Sequence, residues 1–459
     1  MMLLRVKGSV IILIFTFKCI IFCDGEQLQN EDPTVTISID KSTINSSNQT
    51  EHNETNVPTK LAFRWPPTSF DVQTSDGFLL KIFRLSSEFS NSGTEYCPVL
   101  LVHGMFQSSD RFLKQKQDQN LAFKLQDLGY DVWLFNARGN KYSRRHVRLD
   151  PEKNSSDYFD FSYEEIGYFD LAATVDFILS TTGFKKLHYI SYGFGGTFFL
   201  VLNSLLPLYN DKFDRAFLMA PVAYSGRMPN TALQKQLLLH EQLYNDLKDA
   251  QVLELFPYYN DEENVQFDAS MCLGLKKYEV LCNKMEIAKM MDLNVTQNSK
   301  EATRGGSTKI LIHFAQNVKR KVFSRFDYGD GKNKQMYGHR GSSPKYALEA
   351  ITVLTVIIFA STDEMIDEDD IYELASNITN VKLRKVERPQ FRHDDFIAGQ
   401  DVMHDVYNII IEDLPENKKY ITPDQKKKTN KSLSWWVVLI FFGVGLAMVI
   451  FICIKIFRC

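Results

Sequence analysis

With 459 residues, 44% hydrophobic and 24% charged, the chain carries enough apolar surface for a large core, and its 14 prolines and 23 glycines exclude a collagen-like or low-complexity polymer. Fifty-three Lys and Arg against 56 Asp and Glu give a formal net charge of -3. With no long basic tract and no aromatic-interleaved basic stripe, the footprint of a nucleic-acid partner is missing. No Gly-x-x-x-x-Gly-Lys-Ser/Thr, Cys-x-x-Cys or His-Glu-x-x-His run occurs, so no nucleotide, redox or metal cofactor is expected.

Residues 1–25 read as a secretory signal: Arg5 and Lys7 precede the apolar run VIILIFTFKCIIFC, and Cys23 and Gly25 are small enough to flank a cleavage point. An uncleaved signal anchor is the alternative. Residues 26–58, rich in Asn, Ser, Thr and acids, read as a solvated, glycosylated leader with sequons at Asn45, Asn48 and Asn53. Further sequons at Asn154, Asn294, Asn377 and Asn430 fit an exported, glycosylated body.

From there to residue 415 short β-rich runs alternate with helical stretches. CPVLLVHG (97–104), YDVWLFNA (130–137), KKLHYIS (185–191), DRAFLMAP (214–221), LTVIIFAS (354–361) and VKLRKVE (381–387) have strand length, several without clean alternation. Strands buried on both faces predict a mainly parallel sheet with helices on either side, an α/β fold. EEIGYFDLAATVDFILSTTG and GGTFFLVLNSLLPLY carry helical periodicity. The interval 223–343 breaks the alternation: QKQLLLHEQL, VLELFPYY and FAQNVKRKVF read better as helix than strand, before the polar, Gly-rich FDYGDGKNKQMYGHRGSSP. It is expected to be a helical cap over the carboxyl edge of the sheet, between a first core segment, 59–222, and a second, 344–415.

After a linker (416–433), the segment 434–454 contains WWVVLIFFGVGLAMVIFICI, twenty uncharged residues that at about 1.5 Å each span a hydrocarbon core of about 30 Å. A short tail, 455–459, follows. The expected topology is single-pass type I with a luminal or extracellular body, at the plasma membrane or an endomembrane. Lys426, Lys427, Lys428 and Lys431 on the luminal flank run against the positive-inside tendency, but the signal starts translocation before they emerge. A cleaved lipid-anchor signal is the other reading. Of the cysteines between the two ends, Cys272 and Cys282 are spaced to close a local disulfide loop, and Cys97, at the start of a strand, reads as a buried thiol.

At Ser191-Tyr192-Gly193-Phe194-Gly195 a strand passes directly into a helix with small residues framing the turn, the sequence form of a nucleophile elbow. Its middle residue is Gly193, which has no hydroxyl to attack a carbonyl carbon. Asp363, in FASTDEMID after an apolar strand, is placed to orient an imidazole, and His393, in FRHDDFIAG, is placed to supply it. The order elbow, acid, histidine is the one this fold uses. Backbone N–H groups of Met105, after VHG, and Phe194 would serve as oxyanion donors. Ser191, two residues early on the strand, is a poor substitute nucleophile. His103 and Arg138 read as structural, and His188, His313, His339 and His404 lack metal-ligand spacing.

These residues, with TSDGFLL (74–80), LLVHGMFQSSD (100–110), YDVWLFNARGNKYSRRH (130–146), FDFSYEEIGYFDLAATVDFI (159–178), LMAPVAY (218–224), FDYG (326–329) and HDDFIAGQD (393–401), make the chain resemble the acid lipase family of α/β hydrolases, the gastric, lysosomal and insect-type lipases, over roughly residues 60–412. The resemblance implies an α/β-hydrolase fold with a helical cap, catalytic partners at Asp363 and His393, oxyanion donors at Met105 and Phe194, and a bridge in the cap similar to Cys272–Cys282. The family's Gly-His-Ser-Gln-Gly elbow places its serine on Gly193 and its histidine on Tyr192. The expectation is a membrane-anchored, catalytically impaired relative that binds a fatty-acyl or sterol-type lipid under its cap. The alternatives are an active carboxylic ester hydrolase and an adhesion or interaction module without a ligand pocket.

Overall fold

The computed structural model describes residues 3–6, 9–12, 67–85, 97–113, 119–255 and 305–415. Leu3–Val6 and Ser9–Ile12 pair as a short antiparallel hairpin, in a unit of its own within Met1–His52. The second unit is built on a nine-stranded sheet.

Its strands are β1 (Thr68–Gln73), β2 (Phe78–Leu85), β3 (Pro98–Val102), β4 (Asp131–Leu134), β5 (Leu187–Tyr192), β6 (Phe213–Met219), β7 (Leu354–Phe359) and β8 (Val381–Lys385). They lie in the order β8-β7-β6-β5-β3-β4-β2-β1, and Arg145–His146 pairs with β2. β3 to β8 are parallel, while β1 and β2 form an antiparallel hairpin joined to β4. All six runs expected as strands are strands. Every residue of β3 and of β5 is buried, as two covered faces require. The β1–β2 hairpin was not expected as strand, because β1 is mostly exposed and β2 mixes alternation with a buried pair.

Strand order reverses between β3 and β5, since β4 lies on the far side of β3 and β6 on the far side of β5. A crevice opens at the carboxyl ends of strands at such a switch point, which here means the residues after Val102 and after Tyr192. α1 (Leu121–Asp127) is capped by the Asn120 side chain, and α2 (Ala172–Thr182) ends at Gly183, whose φ is +75°. The single helix expected over 164–183 is interrupted by a π-helical turn at Ile166–Leu171. Gly167 in that turn lies so close to the next helix that a Cβ there would meet Val201 at 2.8 Å and the Phe198 carbonyl at 2.9 Å. That helix, α3 (Phe194–Leu205), is buried along all but its last residue.

The interval 223–343 contains α4 (Thr231–Leu238), α5 (His240–Asp249), α6 (Thr308–Arg320) and α7 (Asp330–Tyr337). The helical reading of VLELFPYY is corrected in its described part: Glu254–Leu255 is a strand paired with Gly306–Ser307, and Val252 and Leu253 accept from the Thr308 side chain and backbone. α7 forms inside the Gly-rich stretch, between Gly329 and Gly338, both at positive φ. Cys272, Cys282, Asn45, Asn48, Asn53, Asn294 and Asn430 lie outside the described residues, as does the candidate membrane span. Among the described residues no helix is long and apolar enough to cross a membrane. Asn154 and Asn377 are exposed, and Cys97 is buried with its thiol pushed up to about 12 by burial and the nearby Asp214 and Asp131.

Candidate functional site

β5 ends at Tyr192, α3 begins at Phe194, and Gly193 between them has φ +54° and ψ -120°, a conformation that side chains of L-residues rarely adopt. The turn is pinned by the Gly193 N–H donating to the Met219 carbonyl at 2.9 Å and the Gly196 N–H donating to the Gly193 carbonyl at 2.9 Å. Its framing residues have no room for side chains. A Cβ on Gly195 would sit 2.6 Å from the Val102 carbonyl oxygen, and one on Gly196 would sit 2.7 Å from the Pro221 Cβ. Among the described residues, a Cβ on Gly193 meets a single neighbour within 4 Å, Nε2 of His393 at 3.4 Å. Among those residues, the elbow therefore presents a bare α-carbon facing an imidazole.

His393 and Asp363 come together as expected. Nδ1 of His393 hydrogen-bonds Oδ2 of Asp363 at 2.8 Å, and Oδ1 of Asp363 accepts the N–H groups of Met365 at 2.7 Å and Ile366 at 3.2 Å. With its carboxylate so held, Nδ1 of the ring carries the proton and Nε2 is left to face Gly193. Burial works against the imidazolium, but the Asp363 charge and hydrogen bond, aided by the Glu364 charge, outweigh it and raise His393 above the ordinary histidine value. The two loops are stapled together: Thr362 Oγ1 donates to the Phe391 carbonyl at 3.0 Å, and the His393 N–H donates to the Glu364 carboxylate at 3.1 Å. Glu364 also receives the Arg392 guanidinium at 3.2 Å. The sequence reading missed Glu364, although its place directly after Asp363 in the acidic run STDEMID was the available signal.

The Met105 loop packs against the elbow. The Gly104 Cβ position lies 3.4 Å from the Tyr192 ring, and that of Gly195 lies 3.0 Å from the His103 carbonyl. The Gln107 side chain accepts the Gly104 N–H at 3.2 Å. Among the described residues, no hydrogen bond occupies the Met105 N–H, and Phe194 is the first residue of α3, where a helix leaves N–H groups without an intrahelical partner. Beside Met105 a narrow cleft is lined by Phe106, Ile166, Phe198, Gly306 and Ile310.

Ser191 does not complete a triad. It is fully buried in β5, its Cβ points toward Gly195 at the start of α3, and its Oγ has no hydrogen-bond partner among the described residues. Among those residues no hydroxyl is bonded to Nε2 of His393.

Arg138 and the other histidines read from the sequence lie as follows. His103 bridges the Gly104 carbonyl at 2.7 Å and the Ala137 N–H at 3.2 Å, and burial pushes it down to about 4, which keeps it neutral. Arg138 is buried between Asp170 (2.8 Å) and Asp76 (2.6 Å) and lies 4.1 Å over the Phe78 ring. His313 joins Ser162 Oγ at 3.0 Å to the Ser324 carbonyl at 2.8 Å and stacks on Tyr163. His188 lies against Asp214 at 3.5 Å, and His339 and His404 are exposed.

The profile of the alpha/beta hydrolase fold matches residues 98–400, and that of a partial alpha/beta-hydrolase lipase region matches residues 63–116. Lipase 1 of Drosophila melanogaster is 31% identical over 378 residues, covering 79% of this chain and 80% of that protein. Gastric triacylglycerol lipase of Bos taurus is 30% identical over 368 residues (77% and 89%), and lipase member K of Homo sapiens is 29% identical over 358 residues (76% and 87%). Sheet order, elbow, paired acid and histidine, and these relatives agree: the chain belongs to the α/β-hydrolase fold family, among the gastric and insect-type acid lipases.

Proposed function

We propose that this protein is a catalytically impaired acid-lipase relative that retains a lipid-binding site, is exported and glycosylated, and is anchored to a membrane through residues 434–454. The carrying observation is Gly193: the turn that would lift a nucleophile toward Nε2 of His393 has an α-carbon and nothing beyond it. Without that oxygen no acyl-enzyme forms, and the His393–Asp363 pair has no proton to take from the elbow. Residual hydrolysis through a water activated by His393 would remain slow. Loss of the nucleophile from a serine hydrolase leaves on the order of 10³ to 10⁴ over water.

The relatives' names and the intact histidine–acid pair favour a second reading, an active carboxylic ester hydrolase. The readings separate on treating the full chain with a serine-reactive fluorophosphonate and mapping labelled peptides. No label in residues 185–200 is expected. A labelled Ser191 would establish the active reading and remove the first.

Glycosylation and topology are tested together by glycosidase digestion and protease protection of the membrane-inserted chain. The expected pattern is glycan on Asn154 and Asn377 and a body shielded from external protease in sealed microsomes. A body digested in intact microsomes would contradict the luminal topology.

A further inference from the structure

We propose that the residues closing around α7 form a docking surface for a sulfated polysaccharide, a flexible polyanion held by Lys332, Lys334, Arg340 and Lys345. The surface shares no residue with the elbow and stands whether or not the protein hydrolyses esters.

Residues 323–346 fold into one knot. Ser324 pairs with Lys345 in an antiparallel bridge, the Arg325 N–H donates to the Pro344 carbonyl at 2.9 Å, and the Arg320 guanidinium donates to Ser343 Oγ at 2.6 Å. Inside the knot the buried Asn333 side chain donates to Asp327 at 2.8 Å and to the Gly341 carbonyl at 2.6 Å, which draws the loop after α7 back against the helix. Lys332, Lys334, Arg340 and Lys345 are thereby gathered on its outside, all exposed, and among the described residues none of them has an ion pair. The acids of the stretch leave them unneutralised. Asp327 is taken up by Asn333, the Gly329 N–H and Arg320, and Asp330 stands in the first turn of α7, where the helix dipole favours a carboxylate. The cations ending α6 are engaged elsewhere, Lys319 with Glu241 and Arg320 with Asp327. In a chain of net charge -3, such a local excess of unpaired positive charge attracts a polyanion.

The arrangement suits a wrapping chain better than a membrane or a nucleic acid. Because Asn333 points inward, its neighbours Lys332 and Lys334 leave α7 about 100° to either side of it. Arg340 and Lys345 lie on the returning loop, so a flat surface meets only part of the set. Met336 is the single large apolar side chain exposed in 323–346, whereas a bilayer surface is held by apolar area on one face. Stacked bases need open ring faces. Here Tyr328 lies under Lys332 at 4.7 Å and Lys309 at 4.9 Å, and Tyr337 lies under Arg325 at 4.6 Å. Sulfate groups along a sugar chain require only the charges.

The test uses the full chain in a nonionic detergent and a fluorescent heparin-derived decasaccharide, read by anisotropy. Saturable binding that weakens with added salt is expected, since exposed charges are screened over about 10 Å at about 0.1 M. Lys332→Gln, Lys334→Gln and Arg340→Gln combined are expected to weaken it by about tenfold or more. The charge-keeping combination Lys332→Arg, Lys334→Arg and Arg340→Lys is expected to stay within about threefold of wild type. Removing the same charge elsewhere, by Lys124→Gln, Lys185→Gln and Lys186→Gln on exposed positions, is expected to leave binding within that range. An unsulfated decasaccharide of the same backbone is expected not to compete. Absent or salt-independent binding, equal losses in the two glutamine combinations, a comparable loss in the charge-keeping one, or competition by the unsulfated chain overturns the proposal. Displacement at lower concentration by short-chain phosphatidylserine or by single-stranded DNA overturns it in favour of a lipid or a nucleic-acid partner.

Discussion

Gly193 and His393 carry the chemistry. Removing the charge from Asp363 takes away the main influence that opposes burial, which disfavours the imidazolium, and leaves only the Glu364 charge against burial and the Arg111 charge. In Asp363→Asn the imidazole is therefore expected to titrate below its wild-type value, read from ring carbon shifts against pH. The sign for stability follows. Because the folded pKa is raised, the pair's contribution is fully present below the unfolded histidine value of about 6.5 and is lost as pH rises through the folded one. An unchanged titration in Asp363→Asn would mean that Asp363 does not set the ring's charge.

Asp363 was legible in the sequence because it follows an apolar strand, and His393 by its order after the elbow and the acid and by the family resemblance. Glu364 was not, since the same carboxylate on an exposed loop would look identical until folding brings residue 393 against it.

Among the elements, the elbow and the helical start at Ser162 are the points least tolerant of change. Gly195→Ala and Gly196→Ala drive a Cβ against a backbone carbonyl and a proline ring, at 2.6 and 2.7 Å. Each is expected to cost about 1–3 kcal/mol or more by overpacking, measured by chemical denaturation; an unchanged midpoint would show that the strand–helix corner is looser than described. Ser162 closes a capping box with Glu165 and also bonds Nδ1 of buried His313. Ser162→Ala is thus expected to lose a cap worth about 0.5–2 kcal/mol and to leave a buried polar atom costing about 1–3 kcal/mol.

The fully buried strands were legible as continuous apolar runs. The π turn at Ile166–Leu171 was not, because an inserted residue shifts a helical stripe by less than the window over which a period is read. Glu254–Leu255 was missed because its pairing partner, Gly306–Ser307, lies about fifty residues away and carries no apolar pattern.

At the scale of the whole molecule, three neutral histidines are buried, His188 in β5, His103 just after β3 and His313 on α6. Burial depresses His103 to about 4, His188 to about 4 and His313 to about 3. Between those values and about 6.5 the unfolded chain binds protons that the folded chain does not, so stability falls as pH drops through that window. A melting temperature that declines from pH 7 to pH 4 is expected, and a flat or rising profile would contradict neutral burial.

The α/β architecture was legible from strand–helix alternation, since a mainly parallel sheet demands crossovers that write themselves into the sequence. The antiparallel β1–β2 edge was not, because an edge strand exposed on one face needs no apolar run. The central claim concerns a missing oxygen, and ester turnover by the full chain beside Gly193→Ser measures it most directly. Little or no hydrolysis of short-chain and long-chain acyl esters by the wild-type chain, with a rise of a hundredfold or more in the variant, is expected. Robust hydrolysis by the wild-type chain, lost when His393 is replaced by glutamine, would contradict it.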